Sequence, residues 1–173
     1  MKISSVIDVV YEHTVNNMMH PKQDIFSFFK PDKSQNIATL VCHKSELPLR
    51  PNYEKPVLAI DFLEVKQEGE GIGTKILKFA EEYSKQIGCN GYLILKADGS
   101  YMPQKIPHLF YRKFGFSTLD ERTDKKLDKF IAINKNATIK DFPCLLMHYP
   151  PQPLESSSFL QKLFNLIKKL HEH

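Results

Sequence analysis

Three glycines, Gly69, Gly71 and Gly73, lie between an apolar run and an amphipathic segment, and their spacing could hold an anionic ligand. Glycine lets backbone N–H groups approach a ligand closely, and the N-terminus of a following helix adds a partial positive charge. Together these features suit a pyrophosphate group. A tight turn between a strand and a helix, with no ligand, is the alternative explanation of the same glycines.

Two common phosphate-binding loops do not fit this spacing. A dinucleotide-binding loop needs Gly-x-Gly-x-x-Gly, whereas the glycines here are spaced Gly-x-Gly-x-Gly. A P-loop needs Gly-Lys-Ser/Thr, whereas Gly73, Thr74 and Lys75 stand in the wrong order. Neither motif therefore explains the loop.

The segment EGEGIGTKIL, residues 68–77, resembles the coenzyme A pyrophosphate loop of the GNAT N-acetyltransferase superfamily, whose pattern is Gln/Arg-x-x-Gly-x-Gly/Ala. A second block, LFYRKFGF at residues 109–116, is similar to a helix-to-strand motif that the same family has later in the chain. The two blocks follow the family's order, with a strand pattern between them. The resemblance covers residues 57–116 well and extends over residues 37–149.

This resemblance implies an N-acetyltransferase in which an amine attacks bound acetyl-CoA directly. Tyr111 matches the family tyrosine that protonates the leaving thiolate, and Glu64 corresponds to a strand carboxylate that the family often uses as general base. The cofactor-binding positions that it implies are Leu63, Val65, Glu68, Gly69, Glu70, Gly71, Ile72, Gly73, Thr74, Gln104, Tyr111 and Lys113.

Two positions depart from the family pattern. Glu68 replaces the usual Gln or Arg, and Gln104 stands seven residues before Tyr111, where the family often has Asn. A domain that binds coenzyme A or a partner without efficient catalysis is therefore the alternative function.

Other candidates for the general base are Asp61, Asp98 and His108. Strand alternation over three residues puts Asp61 and Glu64 on opposite faces, so that only one of them can face the site. Asp98 precedes a glycine and is typical of a turn. His108 lies in the first turn of a short helix, where a surface role is the simpler interpretation, and Cys89 is interpreted as a packing residue.

Apolar patterning predicts the elements that position these residues. The runs at 37–42, 57–65 and 92–95 predict strands, and the second of them reads as a central strand buried on both faces. Helical spacing predicts a helix after the glycine loop that ends at Gly88, and Pro107 suits the first turn of a short helix.

The remaining pattern is less regular. Strands are predicted at 116–119, 130–133 and 145–148, the last two as an antiparallel pair, and a solvated loop is predicted at 120–129. One or two short helices are expected within residues 1–36.

The predicted fold class is α/β (α+β), with a single GNAT-like domain over residues 1–149. Its sheet is expected to be mixed and mostly antiparallel, with flanking helices. The strands on either side of the first helix should be parallel neighbours, because a helical crossover joins them.

The end of the chain is predicted to be an appendage. Residues 150–158 are a Pro- and Ser-rich linker, and residues 159–173 have the pattern of an amphipathic helix. Its apolar stripe consists of Phe159, Leu160, Leu163, Phe164, Ile167 and Leu170. Docking on the domain or on a second subunit is one interpretation, and contact with a membrane surface or a partner is the other.

Composition fits an ordinary globular protein of 173 residues, 42% hydrophobic and 25% charged. The net charge of +4 arises from 24 basic and 20 acidic residues, and no clustered basic face points to nucleic acid. No run approaches the ~18 apolar residues of a membrane-spanning helix.

Three widely spaced cysteines fit reduced, buried thiols rather than a disulfide framework or a metal site, which suggests a cytoplasmic location. The expected partner is a small-molecule or protein amine, and the expected state is a monomer or a homodimer.

Overall fold

The computed structural model describes residues 9–19, 21–46, 56–67, 69–100 and 106–150. Glu68, Gln104 and the predicted helix at 159–173, with nearly all of its linker, lie outside these residues. The described chain forms a six-stranded sheet whose strands are neighbours in chain order. The strands are β1 (Val10–Asn16), β2 (Gln23–Phe29), β3 (Asn36–Ser45), β4 (Val57–Val65), β5 (Leu93–Ala97) and β6 (Leu145–Tyr149).

All neighbouring strands are antiparallel except β4 and β5, which are parallel and joined by helix α1 (Ile72–Gln86). Helices α2 (His108–Phe114) and α3 (Glu121–Ala132) lie between β5 and β6. The predicted mixed, mostly antiparallel sheet with flanking helices is therefore confirmed, as is the parallel pair. None of the helices in the described ranges is long and apolar enough to cross a membrane.

The predicted end of α1 at Gly88 is confirmed by the hydrogen bonds of its last turn. Gly88 has a φ of 82°, and its N–H donates to the carbonyl of Lys85. The N–H of Cys89 donates to the carbonyl of Ser84, which completes a Schellman motif. Cys89 is buried beneath this end, so its interpretation as a packing residue is confirmed.

The main core lies between α1 and one face of the sheet. Phe26, Leu40 and Leu58 on three successive strands are at most 1% exposed, and so is Phe79 on α1. The rings of Phe26 and Phe79 meet edge to face, with centroids 5.0 Å apart. This core fixes the position of α1 relative to β4.

The prediction of short helices within residues 1–36 is wrong for the described part of that segment, where β1 and β2 form a hairpin. Tyr11 on β1 and Phe26 and Phe28 on β2 all contact the ring of Phe79. Such burial at every second position is the period of a strand. Packing against α1, which no local pattern contains, therefore decides the conformation.

The predictions of a loop at 120–129 and a strand at 130–133 are also wrong, because α3 occupies this part of the chain. The Asp120 carboxylate accepts hydrogen bonds from two backbone N–H groups of the first turn and so caps the helix. Leu127 is fully buried and anchors the otherwise charged helix. The predicted strand at 145–148 is confirmed as β6, but its antiparallel partner is β5.

Two other strand predictions are partly right. Residues 116–119 pair with β6 through an isolated bridge between Ser117 and His148 rather than as a strand. β4 has the predicted bounds, but Asp61 and Phe62 in its second half are exposed, so it is not buried on both faces throughout.

Arg112 on α2 ties α3 to the rest of the domain. Its Nε and Nη2 atoms donate to the two carboxylate oxygens of Asp128, at 2.7 and 2.8 Å. Its Nη1 atom donates to the backbone carbonyl of Phe116 and to the hydroxyl of Ser117. One planar guanidinium thus joins α3, α2 and the segment that leads to the Ser117 bridge.

We expect the substitution Arg112→Ala to lower the free energy of unfolding by about 1–3 kcal/mol, because it leaves charged and carbonyl acceptors unpaired. Lys125→Ala is the control, since it removes an exposed pair with Glu121 on the same helix and should leave stability nearly unchanged. Urea denaturation of both variants measures the difference. Equal effects would mean that Arg112 does not hold α3 in place.

Candidate functional site

The sheet opens between β4 and β5 because these strands pair over only part of their lengths. Their parallel pairing runs from Leu58 with Leu93 to Ile60 with Leu95. Beyond these pairs, β4 continues to Val65 beside β3, while the end of β5 pairs with β6. Backbone N–H and C=O groups along such diverging edges are available to a ligand.

A β-bulge in β4 lies where the opening begins. Ile60 pairs with Cys42 of β3, whereas Phe62 pairs with Val41, so Asp61 is an extra residue in this ladder. The inserted residue shifts the alternation of all side chains that follow it in β4.

The bulge corrects the expectation that Asp61 and Glu64 lie on opposite faces. Exposed Glu64 pairs with Thr39, whose neighbours in β3 are buried in the core, so Glu64 points away from α1. Asp61 also points away from α1, because its carboxylate binds side chains of β2 and β3 on that face. Leu63 and Val65 pack against the core instead.

The glycine loop leads into α1 through two left-handed residues, Gly69 with a φ of 88° and Gly71 with a φ of 71°. Among the described residues, a Cβ at either position would meet no atom within 4 Å, so the loop borders open space there. No described side chain caps the helix, and its first turn carries no acidic residue. The backbone N–H groups of Ile72, Gly73 and Thr74 are thus oriented as an anion-binding helix N-terminus.

Gly73 brings the loop and α2 together. A Cβ on residue 73 would lie only 2.9 Å from Cζ of Phe110, so the ring of Phe110 rests directly on the backbone at the start of α1. Lys113 follows Phe110 by three residues, on the same side of α2, and is exposed. Exposed Glu70 lies in the loop itself. The two sequence blocks that carry the family resemblance therefore meet in space.

Tyr111, the residue after Phe110, is only 9% exposed. Its ring centroid lies 5.3 Å from that of Phe110 and 5.7 Å from that of Phe116. Burial raises the pKa of the Tyr111 phenol to about 12, since an apolar surrounding disfavours the phenolate. The phenol is therefore neutral and able to donate a proton at neutral pH.

The two fallback candidates for the base have structural roles. The Asp98 carboxylate accepts from the backbone N–H of Ser100 at 2.8 Å, as the turn prediction requires. The expectation of a surface role for His108 is wrong, because this residue is fully buried. Its Nε2 atom bonds the carbonyl of Pro143 at 2.9 Å, and burial lowers the pKa of its imidazole.

Sequence reasoning missed one polar cluster, formed by Gln23, His43 and Asp61. Nδ1 of His43 lies 2.8 Å from Oδ2 of Asp61, and Nε2 of Gln23 donates to the same oxygen at 3.0 Å. Alternation in β3 could have placed His43 on the face opposite the core. The pairing with Asp61 depends on the bulge, which no local pattern reveals.

No protein-family model and no curated protein sequence matches the chain. Among solved structures, the chain is similar to an acyl-CoA N-acyltransferase from Pseudomonas aeruginosa, at 13% identity and a TM-score of 0.42, over 73% of this chain and 67% of that one. It is also similar to the NatC complex bound to Gag peptide and CoA, at 15% identity and a TM-score of 0.47, over 74% and 71% of the two chains.

A third similar structure, from Corynebacterium glutamicum, is described as "histone acetyltransferase HPA2 and related acetyltransferase". Its identity is 15% and its TM-score is 0.42. That likeness spans 76% of this chain and 67% of the other.

The raised pKa of Tyr111 predicts a loss of stability at high pH. Between the ordinary phenol pKa of 10.0 and about 12, the unfolded chain loses this proton and the folded chain keeps it. The stabilisation is complete below the lower value and disappears as pH rises to the higher one. The free energy of unfolding should therefore fall more steeply for the wild type than for Tyr111→Phe over this range.

Urea denaturation at about pH 8 and about pH 11 measures this difference. Tyr83 and Tyr149, whose pKa values burial also raises, are present in both proteins and cancel in the comparison. Parallel pH dependences would show that the Tyr111 phenol is not desolvated.

Proposed function

We propose that this protein is an acyl-CoA-dependent N-acetyltransferase that transfers an acetyl group from acetyl-CoA to an amine. The observation that carries the proposal is the contact of Gly73 with Phe110, which joins the glycine loop to the helix of the buried Tyr111. The opening between β4 and β5, directly before this loop in the chain, supports it further.

The loop fits an anionic donor such as acetyl-CoA. Open space beside Gly69 and Gly71 is available for a pyrophosphate, and the uncapped N–H groups at the start of α1 supply hydrogen-bond donors. Thr74 and Lys75 are exposed in the first turn, and the Lys75 ammonium adds positive charge. Backbone groups of residues 63–65 at the opening would hold the extended arm of the donor.

The chemistry is direct transfer. The amine nitrogen attacks the thioester carbonyl, the new C–N bond forms, and the C–S bond breaks. The leaving thiolate then takes a proton, for which we propose the neutral phenol of Tyr111; the phenol regains a proton from solvent. From the family resemblance, we propose Glu64, exposed beside the opening, as one candidate for the base that removes the proton of the amine.

Binding of the donor is tested by two glycine substitutions at opposite ends of α1. Gly71→Ala and Gly88→Ala both put a side chain on a left-handed residue without a clash, since the one atom within 4 Å, Nζ of Lys44, would lie 3.9 Å from a Cβ on residue 88. Each should therefore lose about 1–2 kcal/mol of stability. Acetyl-CoA at millimolar concentration should raise the Tm of the wild type and of Gly88→Ala.

The increase in Tm that acetyl-CoA causes should be much smaller for Gly71→Ala, because the new Cβ enters the space proposed for the pyrophosphate. Absence of any Tm increase for the wild type would refute the donor assignment. Equal increases in Tm for both variants would show that the pyrophosphate does not bind beside Gly71.

Catalysis is tested by following free-thiol release from acetyl-CoA over a panel of small amines, amino acids and peptides. Tyr111→Phe should lower kcat by about 10²–10⁴-fold and leave the Kd for acetyl-CoA nearly unchanged. Tyr149→Phe is the control, because it removes a phenol from the same aromatic cluster and should keep wild-type turnover.

Wild-type turnover in Tyr111→Phe would show that Tyr111 is not the acid. Binding of acetyl-CoA without thiol release for any amine would instead favour the alternative function, a coenzyme A-binding module.

A further inference from the structure

The cluster of Gln23, His43 and Asp61 lies on the face of the sheet that points away from α1. Cys42 and Lys44, the neighbours of His43, both point toward α1: Cys42 is buried in the core, and Lys44 bonds the carbonyl of Ile87 at the end of α1. The His43 side chain therefore points to the other face, where it is 17% exposed. The Asp61 side chain is 30% exposed there.

The cluster lies at the boundary between the paired and the diverging parts of β4. Ile60 makes the last pair between β4 and β5, and Asp61 is the next residue. The bulge turns the Asp61 carboxylate toward His43, which lies opposite Ala59, two residues before Asp61 in β4. Bulges commonly redirect a side chain in this way beside an active site.

We propose that His43, in preference to Glu64, is the residue that accepts the proton of the attacking amine, a role that rests on the acetyl-transfer function proposed above. Asp61 and Gln23 are positioning residues. The Nδ1–H of His43 donates to Oδ2 of Asp61, which leaves the lone pair of Nε2 to take the proton. The Gln23 amide donates to the same oxygen and holds the carboxylate in place.

The step balances without any further reactant. A proton passes from the amine nitrogen to Nε2 of His43 while the C–N bond forms and the thioester C–S bond breaks. The Asp61 carboxylate stabilises the imidazolium that results. The imidazolium then releases its proton to solvent, and the products are the N-acetylated amine and coenzyme A.

The proposal also implies the side from which the amine approaches. α1 packs on the core face of the sheet, so we place the amine on the opposite face, which carries His43. Phe62 is 50% exposed on this face and Glu64 is exposed two residues further along β4. Two carboxylates, those of Asp61 and Glu64, therefore attract an acceptor that arrives as a positively charged ammonium group. The ammonium releases one proton to solvent before it attacks as the neutral amine.

Other charged or titratable groups on this face come from the remaining strands. They are Glu12 on β1, Glu64 on β4, Lys96 on β5 and His148 on β6. Of the groups on this face, the Asp61 carboxylate is hydrogen-bonded to His43, at 2.8 Å. The carboxylate of Asp61 is thus the immediate partner of the ring.

The chain contains a matched control pair on the opposite face. Nε2 of His13 lies 2.8 Å from Oδ1 of Asp24, so the pair has the same composition and distance as His43 with Asp61. It lies near the edge of the sheet on β1 and β2, beside Tyr83 of α1. It has no place in the proposed reaction.

The experiment compares His43→Gln, His43→Ala, Asp61→Asn and His13→Gln in the thiol-release assay with the fastest amine of the panel. His43→Gln should lower kcat by about 10²–10⁴-fold with an unchanged Kd for acetyl-CoA. Added imidazole should restore part of the activity of His43→Ala, which a purely structural role would not allow. His13→Gln should turn over like the wild type.

Asp61→Asn should lower kcat but not raise the KM for acetyl-CoA. The double variant of His43→Gln and Asp61→Asn should be no slower than His43→Gln alone, because both residues act in one step. Additive losses in the double variant would contradict a joint role.

Two results would overturn the assignment of His43. Wild-type kcat in His43→Gln refutes it while the acetyl-transfer function stands. Loss of activity in His43→Ala that imidazole does not restore, together with lost affinity for acetyl-CoA, shows a structural role only. A wild-type protein that transfers acetyl to no amine refutes both the function and the role of His43.

Discussion

The early end of the parallel pairing between β4 and β5 is the constraint on which the candidate site depends. Ile60 and Leu95 form the last pair, and the two strands then join different neighbours. A continuous pair would satisfy its backbone groups internally and leave no room for a ligand. The divergence instead exposes a strand edge next to the glycine loop, within a sheet that is otherwise continuous.

The helices are held against this opening by close packing. α1 is fixed by aromatic contacts of Phe79 with β1 and β2, and by Ile76 and Leu77 in the same core. α2 approaches α1 so closely that residue 73 has no room for a side chain. The glycine in the first turn of α1 thus lets α2, the helix of Tyr111, approach closely.

The two faces of the sheet have different characters as a result. The face toward α1 is apolar and carries the buried phenol, whose pKa is raised by desolvation. The face away from α1 carries the carboxylates of Asp61 and Glu64 and the imidazole of His43. The candidate acid, Tyr111, and the candidate base, His43, therefore lie on opposite sides of the sheet. The apolar side keeps the Tyr111 phenol neutral, and the polar side provides a hydrogen-bond partner for the His43 imidazole.

Local patterns succeeded where short-range physics decides the outcome. The β4 run, the glycine loop, α1 and its end at Gly88 follow from apolar spacing and from left-handed residues that only glycine adopts easily. The same patterns failed for the β1–β2 hairpin and for α3. For the hairpin, the ring of Phe79, distant in sequence, selects the conformation. For α3, the local cap by Asp120 was missed, and Arg112 on α2 adds the contact that holds the helix.

The sequence by itself determined the order of the central elements and the loop suited to an anion, because each depends on neighbours in the chain. Tyr111 became a candidate acid through the resemblance of its block to a family motif. Only the tertiary structure decided that Asp61 joins His43. That pair arises from a single inserted residue in the β3–β4 ladder, and the register of two strands is set by the packing of the whole sheet.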